Sequence, residues 1–148
     1  MDVVKEMVRA ARIGGRIILA DDDHYVFRLY PEIPGFTELW KAYMQTYIEL
    51  GNDPIVGRKL VSLLHAAGAS PVRNTWIFFG SCADGEHFKV FVTNLVGVLA
   101  GAKAQMLQHS LFEERKFDQI IGPFQDWQLR PDAALWYAVP WAEGRREE

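Results

Sequence analysis

A chain of 148 residues that is 49% hydrophobic and 24% charged has ordinary globular composition, which excludes an intrinsically disordered chain, and is long enough for one core burying roughly 70% of the unfolded surface. The charge is −3, from 16 basic and 19 acidic residues, and the basic ones are scattered, so no nucleic-acid-binding face is marked. The single cysteine, Cys82, permits no internal disulfide and no cysteine-rich zinc site, which fits a reducing cytoplasm. Residues 1–148 read as one domain.

Residues 2–12 place Val3, Val4, Met7, Val8 and Ala11 at helical spacing behind an Asp2 cap. Lys5, Glu6 and Arg9 in the same segment exclude a signal peptide or an anchor. After the Gly14-Gly15 turn, Ile17, Ile18, Leu19 and Ala20 are apolar without alternation. That pattern predicts a strand covered on both faces, as in parallel sheets flanked by helices. It breaks into Asp21, Asp22, Asp23 and His24. In open α/β sheets the chemistry sits beyond the carboxyl ends of strands, so His24 is a candidate general base, with Asp21 as the neighbouring aspartate that orients it. The competing reading has the aspartates ending a strand and capping a turn, with His24 solvated. A divalent ion on Asp21, Asp23 and His24 is disfavoured, because strand alternation sends the aspartates one way and the histidine the other.

Residues 25–30 are aromatic and apolar, and Pro31, Pro34 and Gly35 break the chain. Over residues 37–50, Leu39, Trp40, Tyr43, Met44, Tyr47 and Ile48 give a helix with a wide apolar face, closed by Gly51. Trp40, Tyr43 and Tyr47 either belong to the core or line a pocket for a planar or lipid-like acceptor. Asp53 followed by Pro54 predicts a capped helix start. Val56, Leu60, Leu63, Leu64 and Ala67 continue that helix to a left-handed stop at Gly68. Arg58 lies within it, a candidate for an acidic group on a substrate.

Residues 71–82 are β-branched and aromatic, a strand that ends in the turn Ala83-Asp84-Gly85. Residues 87–109 fit a helix, and their most apolar part, 90–102, is too short to span a bilayer. Gly97 and Gly101 predict a notch for a neighbouring helix. Ser110 and Glu113 form a capping box for a helix that turns Phe117, Ile120, Ile121 and Phe124 inward and is kinked or ended at Gly122-Pro123. Residues 134–139 are a final strand stopped by Pro140, before a polar, frayed tail. A nucleophilic centre at Ser81 or Cys82 with His87 lacks the Gly-x-Ser-x-Gly elbow, and a buried, inert thiol is the expectation for Cys82.

The order of helix, Gly14-Gly15-Arg16, apolar strand and acidic loop resembles the fifth strand of class I S-adenosylmethionine-dependent methyltransferases. The run GNDPIVGRKLVSLLHAAGA, residues 51–69, is similar to the helix before the sixth strand in the branch resembling ubiquinone and menaquinone biosynthesis methyltransferases. The resemblance covers that family's carboxyl-terminal half. It implies an α/β fold: a partial Rossmann-like sheet of three strands in the order 5-7-6, the last antiparallel, with flanking helices and a helical cap from residues 37–67 over the acceptor pocket. It also implies methyl transfer from S-adenosylmethionine to a small-molecule acceptor, with His24 and Asp21 catalytic and Asp23, Tyr25, Trp40, Tyr43, Tyr47 and Arg58 on the acceptor side.

The cofactor loop is another matter. No two glycines here are separated by a single residue, so the Gly-x-Gly that lets a backbone approach the cofactor is absent. The fifth strand also lacks its parallel neighbour, the fourth. An open backbone edge at Arg16–Ala20 is a template for another chain, either a second copy or an amino-terminal half carrying the cofactor loop. The alternative is a non-catalytic remnant that serves as a binding or assembly module.

Overall fold

A computed structural model describes residues 2–147. Met1 and Glu148, the two ends of the expected domain and tail, lie outside the described residues. Among the described residues ten α-helices and strands follow one another, besides two short 3-10 turns: α1 (Asp2–Ala10), β1 (Arg16–Ala20), β2 (Arg28–Tyr30), α2 (Phe36–Glu49), α3 (Leu60–Ala66), β3 (Ala69–Cys82), α4 (Phe88–Gln108), α5 (Glu114–Ile121), α6 (Phe124–Trp127) and β4 (Ala134–Arg146). The class is mixed α/β. The strands form a four-stranded antiparallel sheet in the order β1-β4-β2, with β3 also paired to β4. The sheet differs from the expected three strands in the order 5-7-6: β4 pairs with both β1 and β3, but the short β2 takes a further place beside it.

The chain divides into two compact units, one of Met1–Val26, Ile55–Phe78 and Ala138–Glu148, the other of Phe27–Pro54 and Phe79–Tyr137. In unit 1, α1 is amphipathic and buries Val4 and Val8. These join Ile17, Leu60, Leu64, Ala69 and Ala142 in one small core. The Arg146 guanidinium donates to the carbonyls of Arg9 (2.6 Å) and Ala11 (2.9 Å), satisfying orphan acceptors at the end of α1. β1 pairs antiparallel with β4 from Arg16↔Arg145 to Ala20↔Trp141. Opposite Ile17 stands Gly144, where an added Cβ would lie 3.1 Å from Leu64 Cδ2 and 3.2 Å from the Ala69 Cβ.

Two expectations about this region are overturned. Ile17 is 2% exposed but Ile18 is 46% exposed, so β1 is covered on one face only. An antiparallel partner permits that, whereas the parallel sheet inferred from its apolar run does not. Pro140 does not stop β4, and the tail is strand rather than frayed. The proline falls between the stretch that pairs with β1 and the stretch that pairs with β2, and it needs only its carbonyl, which accepts from the Asp21 N–H (3.2 Å).

In unit 2, α2, α4, α5 and α6 pack around Leu39, Tyr43, Phe88, Leu99, Met106 and Phe124. The Trp127 indole N–H donates to the Pro31 carbonyl at 2.7 Å, and β2 pairs antiparallel with β4 from Arg28↔Trp136 to Tyr30↔Ala134. The 21 residues of α4 bury Phe88, Val92, Leu95, Leu99, Ala102 and Met106. The helix extends well beyond its most apolar part, residues 90–102, and by length and composition alone the whole of α4 is long and apolar enough to cross a membrane. The expected close approach of a helix at Gly97 and Gly101 is not made among the described residues, since a Cβ added at either would meet no atom within 4 Å.

Ser110 does not cap α5. It adopts φ 53°, and the Leu111 N–H reaches the Met106 carbonyl (2.8 Å), so Ser110 acts as the left-handed stop of α4. The residue before α5 is Glu113, in extended conformation and without a side-chain cap. Cys82 is exposed, not buried, like most of β3 from Pro71 onward.

Candidate functional site

The acidic loop after β1 is shaped by a long-range contact. Instead of a helix capped by Asp53 and opened by Pro54, the chain makes a 3-10 turn over Val56–Lys59, entered from Ile55 without a side-chain cap. The Gly57 N–H donates to the Asp22 carbonyl (2.9 Å). A Cβ on Gly57 would sit 2.6 Å from the Asp21 carbonyl oxygen, 2.7 Å from that of Asp22 and 2.7 Å from Pro140 Cγ. Only glycine lets the turn come this close, and the tertiary contact overrides the local capping signal.

With Gly57 seated, Arg58 reaches Asp23. Its Nε donates to Oδ2 and its Nη2 to Oδ1, both at 2.8 Å, a planar fork on a carboxylate. Asp23 is 3% exposed, and its Oδ1 also accepts from the Tyr25 N–H (3.2 Å). The Arg58 Cζ lies 5.5 Å from the centroid of the Tyr25 ring, a cation–π distance. Four predicted site residues, Asp23, His24, Tyr25 and Arg58, are thus neighbours in one loop-and-turn assembly of unit 1, and Asp21 borders it.

His24 opens a 3-10 turn, His24–Val26, and is 5% exposed. It is therefore not solvated. Burial disfavours the imidazolium and holds its pKa below the ordinary 6.5, while the negative fields of Asp22, Asp21 and Asp23 offset part of that effect. Burial thus favours the neutral form of the imidazole. Asp21 is exposed, and its Oδ1 accepts from the Asp22 N–H (2.7 Å). Among the described residues no group of three His, Cys, Asp or Glu is placed to hold a metal ion.

Trp40, Tyr43 and Tyr47 belong to unit 2. The Trp40 ring lies 4.8 Å from Phe27, 5.8 Å from Phe36 and 5.0 Å from Tyr43. The Tyr43 and Tyr47 hydroxyls are hydrogen-bonded at 2.8 Å. Both tyrosines line a hollow of about 220 Å³, below the roughly 300–1,000 Å³ usual for ligand pockets. A larger open groove of about 910 Å³, between Pro34, Glu38, Leu107, Phe112 and Lys116, touches none of the predicted site residues.

No protein-family model and no curated protein matches this chain. The assembly around Asp23 combines a buried carboxylate paired with a guanidinium, a buried imidazole beside it and an exposed carboxylate at the rim. Sequence reasoning missed Gly57 and Pro140. Neither carries a functional group, and the one signal for Gly57 is its place immediately before Arg58.

Proposed function

We propose that this chain is the acceptor-side half of an S-adenosylmethionine-dependent methyltransferase acting on a small molecule, and that an amino-terminal half docks on β1 and brings the cofactor loop. The observation that carries the reading is the pairing of β1. Its one strand partner among the described residues is β4, and the acidic loop with its buried imidazole follows directly at its carboxyl end, the position of the acceptor in the resembled fold.

The residues present do not fit the cofactor itself. The left-handed glycines Gly14, Gly35, Gly51 and Gly68 are isolated turn residues. Gly57, nearest the carboxyl end of β1, is already filled by the carbonyls of Asp21 and Asp22. No step is therefore assigned to the cofactor on this chain. What this chain offers is a proton acceptor, His24, in the field of Asp21, and a loop whose backbone is held by Asp23 and Arg58.

A second reading is favoured by that same pair. A carboxylate engaged at both oxygens and a histidine 5% exposed suit a structural staple, and the chain is then a non-catalytic binding or assembly module. Titration calorimetry with S-adenosylmethionine separates the two readings, run on this chain alone and on its mixture with an amino-terminal half bearing a Gly-x-Gly strand–turn–helix. Heat in the mixture only supports the half-enzyme. No heat in either supports the module.

A further inference from the structure

We propose that the outer edge of β3 recognises a second copy of this chain, the two strands pairing antiparallel about a twofold axis at Ile77. The inference is independent of the methyl-transfer reading. β3 is a 14-residue strand whose one strand partner among the described residues is β4. Its middle is exposed on both faces, with Val72 52%, Trp76 39% and Phe78 79% exposed on one and Ile77 44% exposed on the other. Protein edges are normally protected by lysine, by an inward charge, by a bulge or by a short strand. Between Val72 and Phe78 the one charged residue is Arg73, and its guanidinium lies 5.2 Å from the Trp141 ring centroid on the neighbouring strand. Pro71 is too near the start of β3 to block pairing further along.

The sequence of the edge is complementary to itself. With the axis at Ile77, each Trp76 stands opposite the other copy's Phe78 on one face, and Ile77 meets Ile77 on the other. Aromatic and β-branched cross-strand pairs of this kind are the stabilising ones. The same register keeps the two Arg73 about 26 Å apart along the ladder, at roughly 3.3 Å per residue. An isologous contact closes on itself and leaves a dimer rather than a fibre. Val72, Trp76, Ile77 and Phe78 expose roughly 400 Å² per copy, about half of what each partner buries in a standard interface. With the backbone ladder added, the expectation is a dimer that dissociates on dilution.

The register supplies the test, because Ile77 faces its own copy only if the axis is there. Sedimentation equilibrium of the full chain should give a monomer–dimer equilibrium. Ile77→Lys and Ile77→Glu should each shift it at least tenfold toward monomer while leaving the circular dichroism unchanged, and an equimolar mixture of the two should restore the dimer. Ile18→Lys, on β1, should leave it intact. In a Cys82→Ser background, Ile77→Cys should form an interchain disulfide under mild oxidation, a readout that does not require a charge to be tolerated. A monomer at every concentration, assemblies growing beyond a dimer, a dimer broken by Ile18→Lys instead, or lysine and glutamate variants that stay monomeric when mixed would each overturn the proposal.

Discussion

In unit 2, Leu39, Phe88, Leu99, Met106 and Phe124 are between 0% and 1% exposed and meet in one continuous apolar cluster. In unit 1 the core is a handful of aliphatic residues, and segments far apart in sequence are joined by charged groups: Arg16 to Glu143, Arg58 to Asp23, and Arg146 to the carbonyls of Arg9 and Ala11. The contrast teaches where each unit is vulnerable. Truncating hydrocarbon damages unit 2 most, whereas unit 1 depends on a few polar contacts whose geometry is exacting.

The largest expected effect is in unit 2. Leu99→Ala should cost about 3–5 kcal/mol, the transfer term plus an unfilled cavity, measured by denaturant unfolding with amide exchange assigned to each unit. Leu64→Ala, in the smaller core of unit 1, should cost about 2–3 kcal/mol, because fewer neighbours lose contacts. Equal costs would remove the contrast.

Next is Arg58→Ala, which strands the carboxylate of Asp23 in a buried site. With the guanidinium half exposed, the expected cost is about 2–3 kcal/mol, below that of breaking a fully buried pair. Arg58→Lys should recover only part of it, since an ammonium cannot present the fork. Full recovery by lysine would show that charge alone holds the loop.

The smallest effect is the pH dependence. The folded-state pKa of His24 lies below its ordinary 6.5, so the unfolded chain binds the proton first. Its contribution to stability is complete above pH 6.5 and is lost as pH falls toward the depressed folded value. His24→Gln should remove that part of the acid-side decline in unfolding midpoint, and an unchanged decline would contradict the burial.

Much of this was legible in the sequence, and the failures share a cause. The 3.6-residue periodicity located α1, α2 and α4, β-branched and aromatic content located β3, and the stop at Gly68 is left-handed as expected. Capping was misread twice, at Asp53 and at Ser110, because a local hydrogen-bonding signal yielded to a contact from elsewhere: the Asp22 carbonyl on Gly57, and the Met106 carbonyl closing α4. The extension of β4 through Pro140 was equally hidden, since nothing in the polar sequence WAEGRR announces a strand until Arg16 and Ile17 are placed beside it. In the candidate site, Asp23 and Arg58 were named separately. Their pairing across 35 residues is a property of the folded turn alone.

The most direct test of the half-enzyme account is hydrogen exchange along β1. The Asp21 N–H donates to Pro140 and the Arg146 N–H to Gly15, so by antiparallel alternation Ile17 and Leu19 turn their peptide groups to β4, and Ile18 and Ala20 turn theirs to the open edge. In this chain alone the Ile18 and Ala20 amides should exchange rapidly while those of Ile17 and Leu19 are protected. Adding the amino-terminal half should slow Ile18 and Ala20 to the rate of their neighbours. If all four amides are already protected in the monomer, or if Ile18 and Ala20 stay fast in the mixture, the edge is not where the proposed amino-terminal half docks.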